Sequence, residues 1–219
     1  LAHKKFSGVL ALFTIIQAAG WPIWPLLICS IVALALIIER IMSLRNHLIA
    51  PQGLLEQVIN ASHDNLPSAE AMRQLHDHSV LGRILASGLH AVKNEPLISA
   101  QDLRSSMESE GRQATHELEK HLVALATIAS AAPLLGLLGT VIGMIDIFGS
   151  QAPGTRNPMQ LAQGISMALY NTAFGLIVAI PALMFWRYLR ARVDDYVLGF
   201  ELDAERFVRH LLAMRARLK

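Results

Sequence analysis

Five uncharged polar side chains, Gln160, Gln163, Ser166, Asn171 and Thr172, stand in the first half of an otherwise apolar stretch, QLAQGISMALYNTAFGLIVAIPAL. Amides and hydroxyls pass hydrogen bonds along and order water, but they carry no charge at neutral pH. In lipid such groups are costly unless they face protein, water or a pore. At about 100° per residue, Gln160, Gly164, Met167, Asn171 and Gly175 share one face of a helix, and Thr172 is turned away by a quarter to a third of a turn. Two polar faces suit one contact with a neighbouring helix and one with something central. A second stretch, AAPLLGLLGTVIGMIDIFGS, sets Ala132, Gly136, Gly139, Thr140 and Gly143 on one broad face, where small residues let another backbone come close. The Thr140 hydroxyl can bond its own backbone or line a pathway. Asp146 is the acid of this stretch: a proton carrier, or a carboxylate near an interface, where its cost falls below the roughly 2.5–3.5 kcal/mol of the bilayer centre. Glu39 beside Arg40 reads as a surface pair or a snorkelling one.

The elements that must position these residues are membrane helices. Of the 219 residues 53% are hydrophobic and 16% charged, with mean hydropathy +0.41. Trp21–Ile38, Leu122–Ile145 and Met159–Trp186 contain no Asp, Glu, Lys or Arg, and each is near or above the roughly 18–20 residues a span needs. The expected fold is all-α. Transmembrane helices at 21–43, 122–149 and 159–186 are joined by a cytoplasmic helical segment (44–121) and an outer loop (150–158), and a helical tail (187–219) follows. Arg40, Arg45, Arg112, Lys120, Arg187, Arg190 and Arg192 flank the spans on one side, against Arg156 in the short connection. The bias of basic residues toward the inside then puts the large segment and the tail in the cytoplasm and the N-terminus outside. LAHKKFSGVLALFTIIQAAGW resembles a secretory leader, but the next apolar span follows almost at once. An interfacial helix over Phe6–Ala19, within residues 1–20, is expected instead.

Ser68 after Pro67 predicts an N-cap, Asn94-Glu95-Pro96 a turn, and Ser99 with Asp102 a capping box. Leu103, Met107, Ala114, Leu118, Leu122 and Leu125 recur at helical spacing into the second span. Val193, Val197, Phe200, Ala204, Phe207 and Leu211 do the same in the tail, so both helices extend into the cytoplasm and pack on others. Pro181 removes a backbone bond and predicts a kink.

Other chemistries find little support. His76 and His78, with His63 and His90 nearby, lack a second ligand cluster, so no metal is expected. The single cysteine, Cys29, lies in the first span and reads as packing. Phosphate-cradling loops and nucleophile elbows are not found, and basic residues alternate with acids, which argues against nucleic acid and against an enzyme. No cofactor is expected.

APLLGLLGTVIGMI followed by GISMALYNTAFGLIVAIPAL closely resembles the paired signature of the MotA/TolQ/ExbB proton-channel family, and QAAGWPIWPLL and IIERIMSLR resemble its ExbB branch. The resemblance implies an inner-membrane motor subunit, a homopentamer whose second and third helices surround the single spans of two copies of an ExbD-like partner. Proton-motive force would move that partner, and a TonB-like protein would carry the work to outer-membrane transporters. By motif position Thr140 and Thr172 match the family's polar threonines near the proton path, and Pro133 and Pro181 its helix prolines. Met167 departs from the pattern, because many ExbB proteins have glutamate there. The resemblance therefore implies an apolar pore-wall or packing residue at 167, with Gln160, Gln163 and Asn171 facing the ring interior or a neighbour and the titrating acid supplied by the partner. A TolQ-like motor for envelope integrity and a non-conducting scaffold are the alternatives, and a metal-using membrane enzyme is a more distant one.

Overall fold

The computed structural model describes residues 20–62, 66–150 and 158–217, in which all regular structure is helical. The helices are α1 (Ile23–Ser43), α2 (Asn46–Ile49), α3 (Leu54–Ala61), α4 (Ala69–His78), α5 (Val80–Asn94), α6 (Ala100–Ser150) and α7 (Pro158–Arg217). The expected interfacial helix over Phe6–Ala19 and most of the 150–158 connection lie outside the described residues. Three helices, α1, α6 and α7, are long and apolar enough to cross a membrane. At 51 and 60 residues, α6 and α7 run far beyond their apolar segments, with Pro133 and Pro181 inside them. The chain divides into two compact units.

The first unit, up to Ile38 and over Val123–Arg187, holds the apolar parts of α1, α6 and α7. α6 buries Leu125, Ala129, Ala132, Gly136, Gly139, Gly143 and Ile147, a repeat of three and four residues. α7 answers with Gly164, Ala168, Asn171, Gly175, Ala179 and Ala182. Most of these side chains are small or missing, which is what helix pairing in lipid requires, since apolar burial drives little there and close van der Waals contact drives more. The tightest approach is at Gly136 and Gly175. A Cβ on Gly136 would lie 2.8 Å from the Asn171 carbonyl oxygen and 3.2 Å from the Gly175 Cα, and one on Gly175 would lie 2.7 Å from the Ala132 carbonyl. Gly139 makes room for the Asn171 side chain, and Gly164 for that of Ile147. Gly143 faces Ala168 with space to spare, 3.8 Å from its Cβ to an added methyl. Leu26 of α1 joins Ala132 and Ala179 in a small core closed by Leu135, Phe174 and Val178.

The second unit, Glu39–Leu122 with Tyr188–Lys219, is a helical bundle with larger side chains inside, among them Met72, Leu85, Leu89, Leu103, Met107 and Phe207. Its caps are where the sequence places them. The Ser68 hydroxyl accepts from the Ala71 amide, and that of Ser99 accepts from the Asp102 amide while donating to the Asp102 carboxylate. Ser79 adds a cap for α5 by accepting from the Gly82 amide. Forked ion pairs tie the long helices to the bundle: Arg83 of α5 to Glu117 of α6, and Arg104 of α6 to Glu205 of α7, with closest approaches of 2.7 and 2.9 Å.

Two tests follow from this packing. The Arg83 and Arg104 forks hold the Glu117 and Glu205 carboxyls below their usual range, chiefly through the hydrogen bonds themselves. A carboxyl lowered in the folded state stabilises it fully above the ordinary glutamate value of about 4.3, and the contribution fades as pH falls through the folded-state value. Thermal unfolding scanned from pH 7 to pH 3 should therefore lose stability less steeply in E117Q and E205Q than in the parent chain. Separately, G136A and G175A should each lower stability in detergent by about 1–3 kcal/mol, because backbone cannot move aside as a side-chain tip can. G143A should stay within about 0.5 kcal/mol. Equal melting temperatures for G136A and G143A would mean that the helices do not meet where the glycines put them.

Candidate functional site

The polar residues of the membrane pair do not share one environment. Asn171 is 1% exposed and sits on the contact face of α7, its carboxamide occupying the space where Gly139 lacks a side chain: an added Cβ there would be 2.9 Å from Cγ and 3.1 Å from Nδ2. Thr172, one residue on, is half-buried, with its backbone against Gly136. Its hydroxyl makes no hydrogen bond among the described residues. Thr140 is also half-buried, but its hydroxyl donates to the Leu137 carbonyl of its own helix at 2.7 Å. Thr127, Ser130 and Ser166 likewise donate to carbonyls four residues back. A hydroxyl used in this way costs little in lipid and offers only its lone pairs to anything else.

Gln163 is exposed, and only the backbone of Gln160 is described. Met167 is half-buried, with its sulfur 3.5 Å from the position a Cβ on Gly20 would take. Gly20 leads into α1 with φ +73°, a conformation that favours glycine. Asp146 is exposed on α6 and belongs to neither contact face. The structure thus brings Gly136, Gly139, Asn171 and the Thr172 backbone together, and leaves Gln163 and Asp146 apart from them.

Chemically, the α6–α7 seam can pack and hydrogen-bond, and its described side chains include no acid or base. Between residues 122 and 186 the charged side chains are Asp146 and Arg156 alone, and none of the side chains that meet in the seam titrates near neutral pH. Among the described residues, no group of three His, Cys, Asp or Glu gathers as metal ligands would.

One polar cluster was not expected from the sequence. Arg40 at the end of α1 is buried rather than snorkelling, with 4% exposure. Its Nε donates to Glu39 at 2.8 Å, its Nη1 to the Leu118 carbonyl at 3.0 Å, and its Nη2 meets His121 Nδ1. The signal was present in the spacing, since Ala33, Ile37, Arg40 and Leu44 form one buried stripe of four and three residues.

Comparison with known proteins agrees with the motifs. Residues 76–202 match the MotA/TolQ/ExbB proton channel family. The chain is 30% identical over 175 residues to the biopolymer transport protein exbB1 of Vibrio cholerae, covering 76% of this chain and 74% of that one. It is 34% identical over 197 residues to a putative ExbB-like biopolymer transport protein of Synechocystis, covering 84% and 74%. Over a shorter stretch of 78 residues, 35% of this chain and 34% of the other, it is 42% identical to the Tol-Pal system protein TolQ of Haemophilus influenzae. The glycine and threonine motifs of α6 and α7, the three apolar helices and these similarities lead to one conclusion: the chain belongs to the MotA/TolQ/ExbB proton channel family.

Proposed function

We propose that the chain is the ring-forming subunit of an ExbB–ExbD-type motor of the bacterial inner membrane, with its N-terminus outside and its C-terminal tail in the cytoplasm. Five copies would surround the single spans of two ExbD-like partner chains. The observation that carries this reading is the seam between α6 and α7, which is close-packed at Gly136 and Gly175 and lacks a titratable side chain among the described residues. A helix pair of this kind is a wall. The proton-carrying acid then belongs to the partner, consistent with Met167 where many ExbB proteins have glutamate. Each proton descending 100 mV would make about 2.3 kcal/mol available to move the partner, and a TonB-like protein would pass that work to outer-membrane transport. Thr172, Gln160, Gln163 and Met167 would line or border the path, Asn171 would fix the wall, and Asp146 would remain an interfacial carboxylate. Gly143, Pro133 and Pro181 would serve the shape of the helices.

The shorter but higher identity to TolQ favours a second reading, a motor serving envelope integrity with the same wall and a different output.

Native mass spectrometry of the chain co-expressed with an adjacent single-span protein should find five copies holding two partner chains. A ring that never captures a partner sinks the motor reading and leaves a scaffold. In proteoliposomes of the complex, T172V should slow proton uptake about tenfold, the loss of roughly one hydrogen bond to the path. T140V should leave it near the parent rate, because that hydroxyl is already spent on its own helix. Equal effects of the two would remove Thr172 from its place in the path.

A further inference from the structure

We infer that Glu39, Arg40 and His121 form a proton-binding site at the end of α1, whose occupancy decides whether Arg40 or Glu39 bonds His121 of α6. The site is separate from the α6–α7 seam and does not rest on the motor reading. Its geometry is that of a buried guanidinium and a carboxylate that compete for one imidazole nitrogen. The Arg40 side chain is 5% exposed, while those of Glu39 and His121 are 44% and 40% exposed, so protons reach the site from water. His121 Nδ1 meets Arg40 Nη2 and also lies 3.2 Å from Glu39 Oε2, the oxygen that accepts from Arg40 Nε.

Arginine only donates. Neutral His121 must therefore present a bare Nδ1 to Arg40 and carry its proton on Nε2. A second proton can enter only at Nδ1, where it removes the lone pair that Arg40 uses. The new Nδ1–H points at a carboxylate instead, and Glu39 accepts it while the two cations repel. Arg40 keeps its bonds to Glu39 and to the Leu118 carbonyl, but loses the second of its two bonds to α6. One proton thus exchanges an α1–α6 tie through the arginine for one through the glutamate. The other charges around this end of α6 are already engaged or lie along the helix: Glu117 with Arg83 of α5, Glu119 with Arg190 of α7, which also reaches Asp194, and Lys120 beside His121.

The test is 15N NMR of the full chain in nanodiscs with 15N-labelled histidine. The His121 signals are assigned by their loss in both H121Q and H121N, so the assignment does not depend on one variant folding. At pH 8 the expected pattern is a bare Nδ1 and a protonated Nε2. Once acidification adds the second proton it should appear at Nδ1, and the Nδ1–H shift should move in E39Q while the other histidine signals stay in place. R40K, which shortens the reach to Nδ1, should turn the pH 8 pattern into a mixture of tautomers. A neutral His121 that carries its proton on Nδ1, or doubly protonated His121 signals that E39Q leaves unmoved, would overturn the site.

Discussion

The approach of α6 to α7 at Gly136 and Gly175 is the contact on which the membrane part of this chain depends. In lipid, two apolar helices gain little by hiding from solvent, because the solvent is as apolar as they are. What holds them is close contact, and contact falls off steeply with distance. Without side chains at 136 and 175, backbone meets backbone, and the rest of the seam follows from that spacing. Asn171 reaches the hollow at Gly139, Ile147 reaches the one at Gly164, and Ala132 and Ala179 close on Leu26. Larger residues at the two glycines would separate the helices and leave each of these contacts short of a partner.

Outside the apolar segments the same two helices obey a different physics. Their buried positions pass from Gly and Ala to Leu, Met and Phe, because removal of apolar area from water now supplies the drive. Forked Arg–Glu pairs appear at the rim, and serine caps end the short helices against water. Arg40 and His121 belong to this polar regime and mark where it begins on α1 and α6.

Much of this was legible in the sequence, and the reasons are physical. Uncharged runs of span length leave few alternatives to membrane helices, and the glycines of LLGLLGTVIG announce a close neighbour because nothing else makes three of them worthwhile in a helix. Ser68 and Ser99 announced helix starts by their bonding chemistry. The environments of individual polar residues were harder to read. Thr140 and Thr172 look alike in the sequence, and only coordinates separate a hydroxyl bonded to its own helix from one that is not. Arg40 was misplaced for a related reason, since a charge at a helix end is normally solvated, and its acceptors on α6 lie 78 and 81 positions away in the chain. Pairings of that kind leave no local trace.

The unbroken run of α6 through 51 residues has a consequence for how this chain can vary in length. From Leu125 to Ile147 its buried positions keep one face, returning every three or four residues. Adding or removing a single residue between Ala132 and Gly143 would turn everything beyond by about 100°, so Gly143 would leave Ala168 while Ala132 kept its place in the core. Only changes near whole multiples of seven restore the two ends of that face together. The helix therefore behaves as a ruler that resists insertion, and variation in length is directed to the segments that join the helices.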